Sequence, residues 1–204
     1  MKRVLLAVIF CATILPEAFS HPHVFMDTRI EVAYDEEGVS GFWITWRFDK
    51  VFTAGILMDF DRDKDERLTP SEVAQVEANA FSNLVNYNYF VYIRSSRGLH
   101  RPSGVRGFTA YMEQGRVHYR FFVPYSIPVG DHAVEIDLAV YDDTFFCDIG
   151  YAEVAPVLFP ASDAFRGQYA IREDRGIRID YLANDGSQGF TFPRQVIMTL
   201  QRQL

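Results

Sequence analysis

Cysteine is scarce in this sequence: two residues in 204, Cys11 and Cys147. That excludes a disulfide scaffold and any paired-cysteine motif, so stability has to come from a core. Positive charge is short as well, with 20 Lys and Arg against 27 Asp and Glu and a net charge of −7. An acidic chain without a basic cluster argues against nucleic acid as a partner. There is no glycine-rich phosphate loop and no nucleophile elbow, so catalysis has no anchor in the sequence. The apolar run Val4 to Leu15 is too short to span a bilayer stably.

That run has a better reading. Lys2-Arg3 is a short basic start, and Ala18-Phe19-Ser20 is a small-x-small cleavage site. Residues 1–20 therefore read as a secretory signal peptide, with a mature chain starting at His21 and exported to the periplasm. Phe10 stands where a lipoprotein signal needs a small residue, so Cys11 is not a lipidation site. Export leaves Cys147 without an intramolecular partner. Between Phe146 and Asp148 in an apolar strand, it is expected to be buried and inert.

The chain is organised around Asp61 to Glu72, DRDKDERLTPSE. Asp61, Asp63 and Asp65 alternate, Leu68 follows, and Glu72 closes the run. This is the spacing of a twelve-residue EF-hand loop, in which positions one, three and five give side chains. Position seven gives a carbonyl, nine often a water, and twelve a bidentate acid. The predicted calcium ligands are Asp61, Asp63, Asp65, Arg67 through its carbonyl, Thr69 and Glu72. Apolar residues recur at helical spacing on both sides: Phe52, Ile56, Leu57 and Phe60 before the loop, then Val73, Val76, Ala80, Phe81, Leu84 and Val85 after it. The sixth position, normally Gly, is Glu66. A left-handed non-glycine residue costs roughly 1–2 kcal/mol, which weakens binding without forbidding it. A simpler reading also exists. Thr69-Pro70-Ser71-Glu72 is a capping box with Pro at the first helical position, and it needs no metal.

Around this insertion, at about residues 50–86, the chain reads as strands. Thr28 to Tyr34 and Val39 to Phe48 form a hairpin, with Phe42, Ile44, Trp46 and Phe48 on one face. Asn88 to Ser95, Gly107 to Met112, Arg116 to Val123, Val134 to Tyr141, Thr144 to Val154 and Gln195 to Leu200 complete the strand set. A turn is expected at Asp142-Asp143 and a hairpin about Asp174-Arg175-Gly176. The fold class is α+β: an antiparallel β-sandwich or curled sheet with an inserted EF-hand-like helix–loop–helix. The divisions are the signal peptide, a β-rich domain over 21–160, and a C-terminal β extension of it over 161–204. Trp43 and Trp46 read as core, and His118, inside a strand, as a hydrogen-bonded structural residue.

Cleavage before His21 would place a free α-amine beside an imidazole, with His23 two residues on. Such nitrogen donors suit nickel, cobalt, zinc or copper. Pro22 excludes the terminal site that needs a deprotonated amide at residue two. A short arm tying the first strand to the sheet explains the same residues without metal.

His-Pro-His-Val-Phe at the mature start, the Asp-rich loop after the first hairpin, the tyrosine-rich stretch Tyr87 to Tyr92 and Val140-Tyr141-Asp142 together resemble one family. It comprises bacterial periplasmic proteins of unknown function, described as the periplasmic component of an uncharacterised ABC-type transport system and often linked to nickel/cobalt-type permeases. The resemblance covers about His21 to Val154 and implies a membrane permease as partner. The expected function is a non-enzymatic, metal-binding accessory protein of a transport system, with no stable membrane span after cleavage. Two alternatives stay open: a calcium-stabilised interaction module, and a copper enzyme using the terminal histidine.

Overall fold

The computed structural model describes residues 22–183 and 185–203. The expected signal peptide and His21 lie outside the described residues. The strands in chain order are β1 (Val24–Tyr34), β2 (Gly38–Phe48), β3 (Val91–Ser95), β4 (Gly98–His100), β5 (Arg106–Glu113), β6 (Arg116–Pro128), β7 (Val134–Val140), β8 (Cys147–Tyr151), β9 (Val157–Leu158), β10 (Phe165–Glu173), β11 (Ile179–Leu182), β12 (Gln188–Thr191) and β13 (Arg194–Arg202). Strands dominate, helices are confined mainly to the segment between β2 and β3, and the sheets are not closed. The protein is α+β with most of its regular structure in strands.

Two sheets share one hydrophobic core. The first has the order β5-β6-β2-β1-β8, with β9 also on β1; the second runs β10-β13-β7-β3-β4. Alternation decides which residues face inward. On β2, Phe42, Ile44 and Trp46 are sealed, and on the second sheet Ile136, Leu138, Val196 and Met198 meet them in the same core. The Tyr34 and Phe165 rings stack at 5.3 Å between β1 and β10. The Tyr151 hydroxyl of β8 reaches the Leu138 and Arg194 carbonyls at 3.3 and 3.1 Å. β11 and β12 form a separate ribbon.

Several expectations change. The sheets are not purely antiparallel, because β1 pairs in parallel with β8 and β9. The long strand expected over Thr144 to Val154 is only Cys147–Tyr151. Trp43 is not core. It stands on the opposite face of β2 from Phe42 and Ile44, half-buried, with the Arg120 guanidinium 3.9 Å above its ring.

Between the sheets' strands lie α1 (Lys50–Phe60), α2 (Pro70–Val76), a π turn (Glu77–Phe81) and a 3₁₀ segment (Ser82–Phe90). The even α-helical spacing read after the loop is broken at the π turn. Val76 and Phe81, five residues apart, are both sealed in the core, at 0 % and 2 % exposure. An α-helix would rotate the second away, whereas the i→i+5 bond from the Ser82 N–H to the Glu77 carbonyl keeps both inward. The strand expected from Asn88 begins at Val91 instead. Asn88, Tyr89 and Phe90 all take left-handed φ, at 53°, 51° and 56°. Each such non-glycine residue stores on the order of 1–3 kcal/mol, which only surrounding packing can hold.

Asp49 joins the insertion to the first sheet. Its carboxylate caps α1 by accepting the Val51 and Phe52 N–H groups and also accepts the Phe25 N–H of β1 at 2.8 Å. Burial pushes this carboxyl up, but the three backbone bonds and the Arg116 charge outweigh it and hold the pKa below its ordinary value. A carboxyl lowered by folding stabilises the fold above its unfolded pKa, near 4, and that contribution is lost as pH falls through the folded value. Asp49→Ala is expected to lower stability by about 1–2 kcal/mol at neutral pH. The difference between mutant and parent should shrink in urea melts taken below pH 4; a gap that persists there would show that the charge is not what matters.

Candidate functional site

The Asp61–Glu72 loop begins where α1 ends and closes in the first turn of α2. Asp61 is the C-cap of α1, with its N–H on the Leu57 carbonyl. Its two carboxylate oxygens accept the Lys64 and Glu66 N–H groups at 2.8 and 3.0 Å, which folds the loop back over its first residue. Asp65 accepts the Arg67 N–H at 2.8 Å. Lys64 and Glu66 both sit at φ 60°, so Glu66 adopts the left-handed conformation that the sixth position of such a loop requires.

The three aspartates are brought together. Asp61, Asp63 and Asp65 each present an oxygen within 4.8 Å of the others, Asp61 buried and the other two exposed. Oxygens bound to one calcium at about 2.4 Å lie no further apart than that, so this donor set fits a hard divalent cation. The crowding registers on Asp63: desolvation, then the neighbouring Asp65 charge, raise its pKa. A raised carboxyl opposes folding once ionised, and a cation among the three removes that opposition.

Glu72 serves the loop differently. It is 4 % exposed, and one carboxylate oxygen accepts the Arg62 N–H at 2.8 Å. The other accepts the Thr69 N–H and hydroxyl, both at 2.8 Å. The Arg62 and Thr69 backbone bonds lower its pKa, in that order. The capping-box reading and the twelfth-position reading thus fall on one side chain. Oε1 keeps a lone pair for a cation after taking the Arg62 N–H. Oε2 is filled by the Thr69 N–H and hydroxyl, and the hydroxyl has to turn away before Glu72 binds a cation through both oxygens.

Elsewhere, His23 is exposed, with its N–H on the Phe146 carbonyl at 2.8 Å and its ring 5.0 Å from the Phe146 ring. His118 is 5 % exposed, stacks on Tyr111 at 5.1 Å and lies 3.2 Å from the Arg116 carbonyl through Nδ1. Burial lowers its pKa, which favours the neutral ring. Cys147 is half-buried rather than sealed, yet burial, followed by the Asp142 charge, pushes its thiol up to about 12. Asp142, expected at a turn, is 3 % exposed and accepts the Thr144 N–H and hydroxyl and the Cys147 N–H. The Asp-x-Thr spacing was the signal for that role.

The sequence also conceals several buried polar atoms without a partner, among them Thr28 Oγ1, Tyr34 Oη and Asp137 Oδ1, and two more that sit side by side. The Trp46 indole nitrogen and the Tyr119 hydroxyl, on paired strands β2 and β6, are buried without a hydrogen-bond partner. Trp46 is core, as its place on the apolar face of β2 predicts, but its polar atom has no partner there.

The model of a family described as "Protein of unknown function (DUF1007)" matches residues 6–166. An uncharacterised 15.5 kDa protein from the trpE 3' region of Spirochaeta aurantia is 33 % identical over 118 residues, covering 57 % of this chain and 83 % of that protein. An uncharacterised protein of Haemophilus influenzae is 22 % identical over 144 residues, or 70 % of this chain and 68 % of the relative.

Proposed function

We propose that this chain, which belongs to the DUF1007 family of unknown function, is an exported, non-enzymatic metal-binding accessory protein of a transport system. Its Asp61–Glu72 loop takes calcium as a structural ion. The observation that carries the metal reading is the geometry of the loop: three carboxylates converge on a backbone already bent left-handed at Glu66. Asp61, Asp63, Asp65 and Glu72 would supply side-chain oxygens, Arg67 its carbonyl, and Thr69 a hydroxyl or a water. Calcium there supplies charge that offsets the mutual repulsion of the acids and ties α1 to α2.

Export rests on the charge and apolar pattern of residues 1–20, and no helix among the described residues is long and apolar enough to cross a membrane. The transport role, with a membrane permease as partner, rests on the resemblance of the His-Pro-His start and the loop to periplasmic transport components. Nickel, cobalt, zinc or copper at His21 and His23 belongs to the same reading, with His23 exposed beside Phe146.

Affinity should be weak, in the 10⁻⁴–10⁻³ M range of extracellular modules, because Glu66 replaces glycine. At ten times the dissociation constant, linkage adds about 1.4 kcal/mol to folding stability. Melts with calcium and with chelator are therefore expected to differ by several degrees, and Glu72→Gln should erase the difference. Coincident melts at ten millimolar calcium would leave the loop as a helix cap only.

A further inference from the structure

The outward face of α1 is apolar. Thr53 and Ile56 are buried, and Phe52 and Phe60 pack against the core from the same side of the helix. The opposite side shows Val51 and Met58, 78 % and 81 % exposed, with exposed Ala54 and half-buried Gly55 between them. Val51 and Met58, seven residues apart, stand on one line about two turns long. A Cβ at Gly55 would meet nothing within 4 Å, so the middle of this face is open. A helix apolar all round is ordinarily buried, and among the described residues this one is covered on one side only.

The charges of α1 indicate what covers it. Lys50 in the first turn and Asp59 in the last are its only charged side chains, and both are exposed. Neither takes part in an ion pair among the described residues. Each stands at the end of the helix whose partial charge repels it, since the N-terminal end is positive and the C-terminal end negative. Within one molecule both are misplaced. Beside an antiparallel copy of the same helix both are well placed, because each then lies near the oppositely charged end of the other helix. Centred between Ala54 and Gly55, such a copy sets Lys50 level with Asp59 of the second copy, Val51 level with Met58, and Ala54 level with Gly55. The same surface thus meets itself, as a two-fold interface requires. The small residues at its centre let the two backbones approach closely.

We infer that the outward face of α1 is an interface at which two copies of this chain pair through antiparallel α1 helices. The apolar centre of the contact is Val51, Ala54, Gly55 and Met58, and Lys50 against Asp59 at each end sets its orientation. A parallel pairing would bring Lys50 level with Lys50 and Asp59 level with Asp59, which the charges oppose. Two turns of helix make a contact below the size of a standard interface, so the pair is weak and depends on concentration.

The test is analytical ultracentrifugation, at low ionic strength, of the chain from His21 onward, which holds the whole described fold. Monomer is expected at about 10 µM and dimer at about 1 mM. Lys50→Asp and Asp59→Lys each set like charges level at both ends and should weaken association about five-fold or more. Mixed in equal amounts, the two single variants should pair with each other as strongly as the parent pairs with itself. The double variant should likewise regain self-association. Both substitutions suit the macrodipole of α1, so neither should lower the melting temperature of the monomer. Met58→Lys puts charge at the centre of the contact and should leave only monomer at about 1 mM. The inference is overturned by a parent that stays monomeric at that concentration, by single charge variants that associate as the parent does, or by a mixture that does not recover. Monomer that instead sediments with phosphatidylcholine vesicles would also overturn it and assign the face to lipid. The contact contains no residue of the Asp61–Glu72 loop, so it stands or falls apart from the metal reading.

Discussion

Phe81→Ala is expected to lower the stability of the protein by about 3–5 kcal/mol, the range for truncating a buried aromatic to alanine. Phe81 sits on the π turn at 2 % exposure. It stacks on Phe108 at 4.1 Å and meets Phe121 at 5.1 Å, Tyr89 at 5.4 Å and Tyr119 at 6.1 Å. The edge of the Trp46 ring completes its surroundings at 6.4 Å. These rings come from β2, β5, β6 and the 3₁₀ segment, so one side chain fastens the insertion to the first sheet. Truncation leaves a void that rigid aromatic neighbours cannot close, which places the expected loss at the upper end of the range. The π turn should also relax, since the extra residue is kept only to point Phe81 inward. Urea melts followed by far-ultraviolet circular dichroism measure the first effect, and amide exchange over Glu77–Phe81 the second. A loss below 1 kcal/mol would mean that α1 alone docks the insertion.

Asp142→Ala is expected to cost about 2–4 kcal/mol and to wake the thiol of Cys147. The carboxylate lies at the turn between β7 and β8, where it accepts the Thr144 N–H at 2.9 Å, the Thr144 hydroxyl at 2.7 Å and the Cys147 N–H at 3.0 Å. Alanine leaves these donors without the carboxylate, and each buried one left unsatisfied costs about 1–3 kcal/mol. Cys147 is also where β8 starts its parallel pairing with Val24 of β1, so the loss reaches the register of the first sheet. The thiol is held up at about 12 first by burial and then by the Asp142 charge and hydrogen bond. Without the carboxylate its pKa falls toward the ordinary thiol value, and more thiolate is present at pH 8–9. Alkylation of folded protein by iodoacetamide in that range should therefore be faster in Asp142→Ala than in the parent. Unchanged stability together with unchanged alkylation would show that neither the turn nor the thiol depends on Asp142.

The acidic loop was legible because its whole logic is local. Three aspartates two residues apart, a capping box and flanking apolar periodicity all lie within a few turns of chain, and the structure brings Asp61, Asp63 and Asp65 together. Even the awkward residue was readable, since Glu66 does take φ 60° as the sixth position demands. The juxtaposition of two unpartnered donors was not legible. Trp46 and Tyr119 are 73 positions apart, and only the β2–β6 register makes them neighbours. Their donors look unremarkable in a strand pattern until the surrounding rings prove to offer no acceptor.

By itself the sequence determined the strand-rich composition of the fold, the inward face of β2 at Phe42, Ile44 and Trp46, and the conformation of the acidic loop. Each of these follows from side-chain periodicity or from hydrogen bonds spanning a few residues. Only the tertiary structure decided that β1 runs parallel to β8 and β9, and that β13 near the C-terminal end lies between β10 and β7 in the second sheet. It also decided that the helix after the loop widens into a π turn and ends in a left-handed run. Strand partners are chosen by burying the most apolar surface across the whole chain, and period-two alternation is the same whichever neighbour is taken and in whichever direction. The π turn arises likewise, because the core needs Val76 and Phe81 on one face and local helix geometry yields to that packing.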